Sequence, residues 1–382
     1  KMKKLAIIGA SYLQEPLIEK AKARGIETHV FAWKADDVGE KSADYFYPIS
    51  IVEKESILKK CTEIGIDGIC SIASDLASIT VNYVAEKLGL MGNSMDCVEV
   101  STNKHSMRLR FEENGDPSPK SIIVKSADDI KNVKLEYPVI VKPVDRSGSR
   151  GITKVEAEED LQSAIERAKD QGFEKCALVE EFATGQEYSV EYISWEGKHT
   201  FLALTKKYTT GAPDFIETGH LEPAPVDEET LLRVQKVVEH ALDGLGIKYG
   251  ASHSELKIAK DGVIKIIEIG GRMGGDNIGS SLVELSTGYD FVDAVIDVAL
   301  GMKPTAKKSK CRNAGIRFIF TQEDINGLEN LKKEHPELLV EELVQPITEK
   351  KVVDSGSRFG YFMFASDDFR LVEKYLPEQA EE

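Results

Sequence analysis

Ala251-Ser252-His253-Ser254-Glu255-Leu256-Lys257-Ile258-Ala259-Lys260-Asp261-Gly262-Val263-Ile264-Lys265-Ile266-Ile267-Glu268-Ile269-Gly270-Gly271-Arg272 is the stretch on which the reading of this chain turns. Two strand-like runs, Ala251 to Ile258 and Val263 to Ile269, flank Lys260-Asp261-Gly262. With Asp261 and Gly262 as the centre of a two-residue type I′ turn, Lys260 pairs with Val263 and Glu255 stands opposite Glu268. A slip of two residues leaves both carboxylates on one face, because strand side chains alternate with period two. Carboxylates about 5 Å apart repel unless a cation lies between them, and hard oxygen ligands of this kind suit Mg²⁺. His253 and Lys257 project from the same face. An exposed acidic hairpin is the alternative, but Ile264, Ile266 and Ile267 make the second strand too apolar for it.

Arg272 follows within Gly270-Gly271-Arg272-Met273-Gly274-Gly275-Asp276. Glycines on both sides clear space and let the chain turn sharply beside the two carboxylates. An arginine there can hold developing phosphoryl charge or a substrate carboxylate bidentately. A helix expected from near Asn277 adds backbone donors.

Two constellations lie upstream. Val141-Lys142-Pro143 leads into Asp145-Arg146-Ser147-Gly148-Ser149-Arg150-Gly151, a strand that delivers a lysine to a loop rich in Gly and Ser. Ser147, Gly148, Ser149 and Gly151 let backbone N–H groups converge on an anion, with Lys142 and Arg150 adding charge. A solvated hairpin loop is the competing reading; the strand-to-helix P-loop is excluded, because GxxxxGK[ST] is absent. Val179-Glu180-Glu181-Phe182-Ala183-Thr184-Gly185-Gln186-Glu187 is a connector between strands. Its backbone suits an adenine edge and its carboxylates suit ribose hydroxyls, or it is a charged surface turn.

Around these motifs the chain divides. The opening hundred residues alternate strand and helix: Leu5 to Ile8, Glu15 to Arg24, His29 to Trp33, Glu53 to Ile64, Gly68 to Ile72 and Asp75 to Leu88. This pattern implies a parallel sheet with helices on its faces. Gly9-Ala10-Ser11 is an incomplete GxGxxG, so a plain tight turn competes with a dinucleotide site. Ser74 and Asp75 follow the third strand, where open α/β sheets bind ligands; Asp75 either holds an amine or caps its helix. From Ser121 onward strands dominate, Ser121 to Lys125, Tyr137 to Val144, Ile152 to Glu156, Ala177 to Phe182 and Glu187 to Trp195, with one helix from Ala157 to Gln171. Tyr208 to Pro225 reads as a long loop that covers substrate, with Glu217 and His220 as contacts. His220 is either an amine- or phosphate-contacting group or a surface histidine. Leu300 to Pro304 begins a linker to a last segment with strands Gly315 to Thr321 and Gly360 to Ala365.

These elements, in this order, resemble the ATP-grasp superfamily over roughly 103–302. The resemblance implies that Lys104, at the head of a helix, and Lys142 bind the α and β phosphates under a glycine-rich flap, Ser147 to Gly151. It implies that Glu180, Glu181, Phe182, Ala183 and Glu187 hold adenine and ribose, and that Glu255 and Glu268 bind Mg²⁺ or Mn²⁺. Many members carry an Asn two residues after the second acid, where this chain has Gly270. The Glu268–Arg272 spacing with Gly274 and Gly275 looks like the carboxylate–amine ligase branch, which includes L-amino acid ligases; there the arginine stabilises the acylphosphate. The implied fold class is α/β plus α+β: a Rossmann-like parallel-sheet domain (1–95), an ATP-grasp domain (96–302, flap about 117–185) and a small C-terminal α+β domain (303–382). The implied reaction joins a small carboxylate to an amine, amino acids among them, with ATP spent to ADP and phosphate. Glycinamide-ribonucleotide-synthetase-like or biotin-carboxylase-like chemistry, and a regulatory nucleotide-binding protein without turnover, are the alternatives; a homodimer is compatible with each.

The bulk sequence agrees. The chain has 382 residues, enough for two or three cores, and its formal net charge of −16 argues against nucleic acid as the main partner. Five scattered cysteines without a CxxC pair read as reduced core residues of a cytoplasmic protein. No apolar run is long enough for a membrane span, and the short run after Lys4 reads as a strand and not a signal peptide.

Overall fold

A computed structural model describes residues 1–146, 150–212, 214–305 and 307–380. Ser147, Gly148 and Ser149 of the expected flap lie outside the described residues.

The first sheet contains β1 (Lys4–Ile8), β2 (Glu27–Phe31), β3 (Tyr45–Tyr47) and β4 (Gly68–Cys70), parallel in the order β3-β2-β1-β4. Its apolar run splits by period two between two cores. Leu5 and Ile7 pack with Leu17 and Ile18, while Ala6 and Ile8 pack with Ile57 and Val84. Helices on both faces are thus what buries an uninterrupted apolar strand. The helix Asp75–Leu88 has the expected bounds: Ser74 Oγ accepts from Ala77 N at 3.2 Å, and Gly89 ends it with φ 67°. The cap is therefore Ser74, and Asp75 is left for another role.

The second sheet holds β5 (Ser121–Val124), β6 (Val139–Pro143), β7 (Thr153–Val155) and β8 (Ala177–Glu181), antiparallel in the order β5-β8-β6-β7. The helix Leu161–Gln171 lies on it through Leu161, Ala164, Ile165 and Ala168, a stripe at helical spacing.

The third sheet contains β9 (Gln186–Trp195), β10 (Lys198–Thr209), β11 (Glu217–Glu222), β12 (Gly250–Ile258), β13 (Ile264–Gly270), β14 (Asn313–Phe318), β15 (Leu339–Val344) and β16 (Gly360–Ser366). The order is β13-β12-β9-β10-β11-β14-β16-β15. One face is apolar: Val190, Tyr192, Leu204, Leu256 and Ile266 pack on Val234, Val238 and Leu242 of the helix Glu228–Leu245. The strands after Met302 do not form a sheet of their own; β14 pairs with β11 and continues the central one.

Two expectations are corrected here. The loop expected over Tyr208 to Pro225 is broken by strand, since β10 runs to Thr209 and β11 covers Glu217–Glu222, leaving 210–216 as the connection. Polar residues buried against a neighbouring layer do not look apolar in sequence, so the strand signal was masked. The hairpin also differs in its turn. Ile258 pairs with Ile264, one residue away from the expected register, and a bulge between Glu255 and Leu256 restores Glu255 opposite Glu268. The facing carboxylates are as expected, reached by a longer turn plus a bulge. Beyond Arg272, the expected helix starts at Ile278 as a five-residue π-helical turn.

Candidate active site

The face of the third sheet opposite the helix is a grid of polar side chains. Register aligns Lys257 with Glu187, Glu255 with Ser189 and His253 with Glu191 between β12 and β9. The rows continue through Ser189 beside Thr205 and through Lys207 beside His220. Period two puts all of these on one face.

Lys207, 3% exposed, is the hub: its Nζ lies 2.9 Å from Glu255 Oε1, 3.4 Å from Glu187 Oε1 and 3.6 Å from Glu217 Oε1. Burial disfavours its charge, but the three carboxylates outweigh burial and raise its pKa well above the ordinary lysine value. Glu255 also stands 3.5 Å from His253 Nε2. His253 is bonded through Nδ1 to the buried Glu191, which overcomes desolvation and moves the imidazole up to about 9. Glu268 faces Glu255 from β13 and lies 3.7 Å from Lys104 Nζ.

The facing lobe has the reverse balance. Glu180, fully buried, takes Arg108 Nε at 2.8 Å and Nη2 at 3.2 Å, and Lys142 Nζ at 2.6 Å. Burial opposes its charge, yet the two cations hold its carboxyl at about 2. Lys142 moves the other way: burial, assisted by Arg108 and Lys104, lowers its pKa despite Glu180. Glu180 thus fixes Lys142 while its own carboxylate borders the cavity. Lys104 is the first residue of the helix Lys104–Glu113, capped by Asn103 Oδ1 on Ser106 N at 3.0 Å, and its Nζ also bonds the carbonyl of Arg146.

Between the lobes lies one cavity lined by Lys104, Lys142, Glu180, Glu181, Phe182, Ala183, Glu187, Glu217, Glu255, Glu268 and Arg272 among others. Eleven residues proposed from distant parts of the sequence thus converge on one space. At its apolar end stand Ile140, Ile152 and the bulged Ile267. There Lys257 Nζ donates to Ala183 O at 3.1 Å, and Phe182 is flanked by Lys154 and Lys257 at 4.1 and 4.8 Å. Glu181 is the outlying member, with its side chain 44% exposed and 3.6 Å from Lys265.

A second cavity shares Lys104, Glu268 and Arg272 with the first and opens towards Ser74, Asp75, Arg146 and Arg150. Asp75 receives Arg272 Nε at 2.9 Å and Nη2 at 3.2 Å, so it ties the first sheet to the arginine. This pair also accounts for Gly270: a Cβ there would lie 3.0 Å from Asp75 Oδ1 and 3.1 Å from Arg272 Nε. A side chain at position 270 would press on the Asp75–Arg272 fork, which would have to give by a few tenths of an ångström to admit it.

The other expected substrate residues lie outside both cavities. Gly274 N donates to Glu191 Oε2 at 3.2 Å, and a side chain there would run into His253. Gly275 has only Ala73 nearby, 3.9 Å from a built Cβ. His220 is fully buried, with Nε2 3.0 Å from Asp276 Oδ2, and burial lowers its pKa; the surface-histidine reading is excluded. Gly151, with φ 68°, lines a separate crevice beside Asp354. Sequence reasoning missed Arg108, Glu191 and Lys207. Alternation through Thr205, Lys207 and Thr209 was the available signal for Lys207, had β10 been read as a strand.

Among the described residues no three His, Cys, Asp or Glu side chains converge as a metal cage. The donor set still fits a hard divalent ion that takes its remaining ligands from phosphate and water, because Glu255 and Glu268 face each other and carboxylates outnumber cations around them.

A family model for the ATP-grasp domain matches residues 135–280, which span β6 to β13 and the arginine loop. The chain carries an ATP-grasp domain. The fold of this ATP-grasp chain also recurs over almost its full length in solved structures. The L-amino acid ligase from Bacillus licheniformis superposes with a TM-score of 0.83 at 26% identity, covering 98% of this chain and 95% of that one. The alanine–anticapsin ligase of Bacillus subtilis (strain 168) is 27% identical over 325 residues, 75% of this chain and 68% of that protein. Both are ligases by name. N5-carboxyaminoimidazole synthetase from Staphylococcus aureus, solved with ADP, has a TM-score of 0.79 at 18% identity over 98% and 97% of the two chains, a likeness of fold. No helix among the described residues is long and apolar enough to cross a membrane.

Proposed function

We propose that this ATP-grasp chain is an ATP-dependent carboxylate–amine ligase that works through an acylphosphate and releases ADP and phosphate. The observation that carries the reading is the wall of Lys104, Glu268 and Arg272 shared by two cavities. One cavity has the apolar end and paired charges that suit a metal–nucleotide; the other is where a carboxylate would meet the terminal phosphate. The names of the two Bacillus relatives support small carboxylates and amines, amino acids among them, as substrates. The ADP in the Staphylococcus structure supports the nucleotide assignment.

When bound, Mg²⁺ or Mn²⁺ on Glu255 and Glu268 supplies charge neutralisation and alignment of the triphosphate. The protein groups do the rest. Lys142 and Lys104 bind phosphate oxygens, with Lys142 oriented by Glu180. Phe182, Ala183 and Glu187 take the base and sugar. A carboxylate oxygen of the substrate bonds to the γ phosphorus as the β–γ bridge breaks, leaving ADP. An amine nitrogen then bonds to the acyl carbon, the carbon–oxygen bond to phosphate breaks, and the amine gives up its proton. Arg272, held by Asp75, faces the charge that develops in both steps.

The test is a pairwise screen of carboxylates and amines, amino acids first, with ADP and phosphate as readout and an ¹⁸O-labelled carboxylate. The label should appear in the released phosphate. Release of AMP and pyrophosphate, or unlabelled phosphate with amide formed, rejects the acylphosphate route.

A further inference from the structure

The connection between β15 and β16 reaches back over the loop that carries Arg272. Its Arg358 has a side chain only 7% exposed. Nη2 donates to Asp276 Oδ1 at 2.5 Å, and Nη1 donates to Asp276 Oδ2 at 3.3 Å and to the Glu217 carbonyl at 3.1 Å. Nε donates to the Ser355 carbonyl at 2.9 Å, and the guanidinium lies 3.6 Å from the centre of the Phe318 ring. Almost every donor of the fork is therefore committed. The same segment sends Ser355 Oγ to Glu217 Oε2 at 2.9 Å, so it also fixes a carboxylate of the nucleotide cavity.

What Arg358 grips is a strained turn. Asp276 and Asn277 are consecutive non-glycine residues with φ 54° and 61°. Each such residue is strained and persists only where its surroundings over-determine it. Here they are the Arg358 fork and His220 Nε2, 3.0 Å from Asp276 Oδ2. At the other end of the loop, Arg272 is anchored by Asp75. Three residues separate the anchors, and two of them are the flexible glycines Gly274 and Gly275. With the Asp276 end released, the loop keeps the hydrogen bonds from Gly274 N to Glu191, from Ala73 N to the Met273 carbonyl and from Ile278 N to the Gly275 carbonyl, and the two glycines give its backbone room to move between them.

We infer that Arg358 is a positioning residue: through Asp276 it holds the 271–277 loop so that Arg272 stands on the wall between the two cavities. Arg358 lines neither cavity, so its side chain acts on the reaction only through the groups it holds, the Asp276 end of this loop and the Glu217 carbonyl. The consequence for turnover rests on the ligase reading above; the consequence for the loop does not.

The experiment compares the parent with Arg358→Gln and with the milder Arg358→Lys, which keeps the charge and loses the fork. Amide hydrogen exchange, Mg-ADP affinity by calorimetry, and phosphate release with the substrate pair found by the screen are measured on each. In Arg358→Gln, exchange across 271–277 should quicken about 10-fold or more while 264–269 is unchanged, as expected for a local opening. Turnover should fall about 10- to 100-fold with Mg-ADP affinity and the KM for ATP within about 2-fold, because the reacting geometry is lost and the nucleotide contacts are not. Arg358→Lys should lie between. Unchanged exchange in both variants refutes the positioning. A looser loop with full turnover refutes its place in the reaction. If Arg358→Gln fails to fold, Arg358→Lys decides both points. If no substrate pair turns over in the parent, the ligase reading fails and the exchange data still decide the positioning.

Discussion

The two lobes that face each other across the central cavity hold buried charge clusters of opposite imbalance. On β6, β8 and the helix Lys104–Glu113, two cations, Lys142 and Arg108, share the single carboxylate of Glu180. On β9 to β12, one cation, Lys207, is shared by the carboxylates of Glu187, Glu217 and Glu255, with Glu268 beside them. Burying unbalanced charge is expensive. One side is therefore poised for an anion and the other for a cation, and a metal–triphosphate supplies both. The difference also separates carboxylates that look alike in sequence: Glu180 is paired with two buried cations, whereas Glu187, Glu217 and Glu255 share Lys207.

The sharpest way to break this contrast is at the acidic side. Glu255→Gln and Glu268→Gln should each lower turnover about 1,000-fold, with the loss read in steady-state ADP release. Melting curves of the free proteins should stay near the parent, since Lys207 keeps Glu187 and Glu217 and the repulsion between the facing pair is removed. Retained activity with a strongly destabilised free protein would show the pair to be structural.

Next come the counter-ions. Glu180→Ala strands two buried cations and Lys207→Met strands three carboxylates, so each should cost about 3–5 kcal/mol of stability by denaturant titration. They should respond differently to Mg²⁺: the Lys207→Met melting temperature should rise more with added metal than the parent's, and the Glu180→Ala melting temperature should not. Equal responses would remove the assignment of the acidic side to a cation.

Lys142→Ala should weaken nucleotide binding about 10- to 100-fold by calorimetry with a non-hydrolysable analogue. Glu180 retains its Arg108 fork, so the stability loss should be smaller than for Glu180→Ala. Unchanged affinity would move the phosphates elsewhere.

The smallest effect concerns Glu222, at the end of the same polar face. It is fully buried, with Oε2 bonded to Thr205 Oγ1 at 2.8 Å and Oε1 without a partner, and burial pushes its carboxyl up to about 8. A raised carboxyl binds its proton more tightly in the folded state, so this contribution is full below the unfolded pKa, near 4.5, and is lost as pH rises to about 8. Glu222→Gln should flatten the decline in melting temperature over that window and exceed the parent by a few degrees at pH 8, about 1–2 kcal/mol. Parallel pH profiles for the two proteins would refute the buried neutral acid.

Parts of this site were legible because their cause is local. Alternation put Glu255 and Glu268 on one face, and that survived an error in the turn because the bulge made up the missing residue. Lys142 was legible from its apolar strand, and the glycines around Arg272 from their spacing. The Ser74 to Leu88 helix carried its own cap and stop. β10 and β11 were not legible as strands, because Lys207, His220 and Glu222 are buried polar residues whose burial comes from layers packed above them and not from their own hydropathy.

The sequence by itself determined the strand and helix periods, the facing carboxylates, the lysine strand and the acidic, ligand-binding character of the chain, all of which depend on neighbours within a few residues. Only the tertiary structure decided that Glu180 pairs with Arg108 and Lys142, that Lys207 binds three carboxylates, that Asp75 holds Arg272 beside Gly270, and that Arg358 reaches the arginine loop from the connection between β15 and β16. These pairings join residues 72 to 197 positions apart in three cases and rest on Coulomb and steric terms that act through space. No period or spacing along the chain encodes them, because the groups become neighbours only once the sheets are stacked.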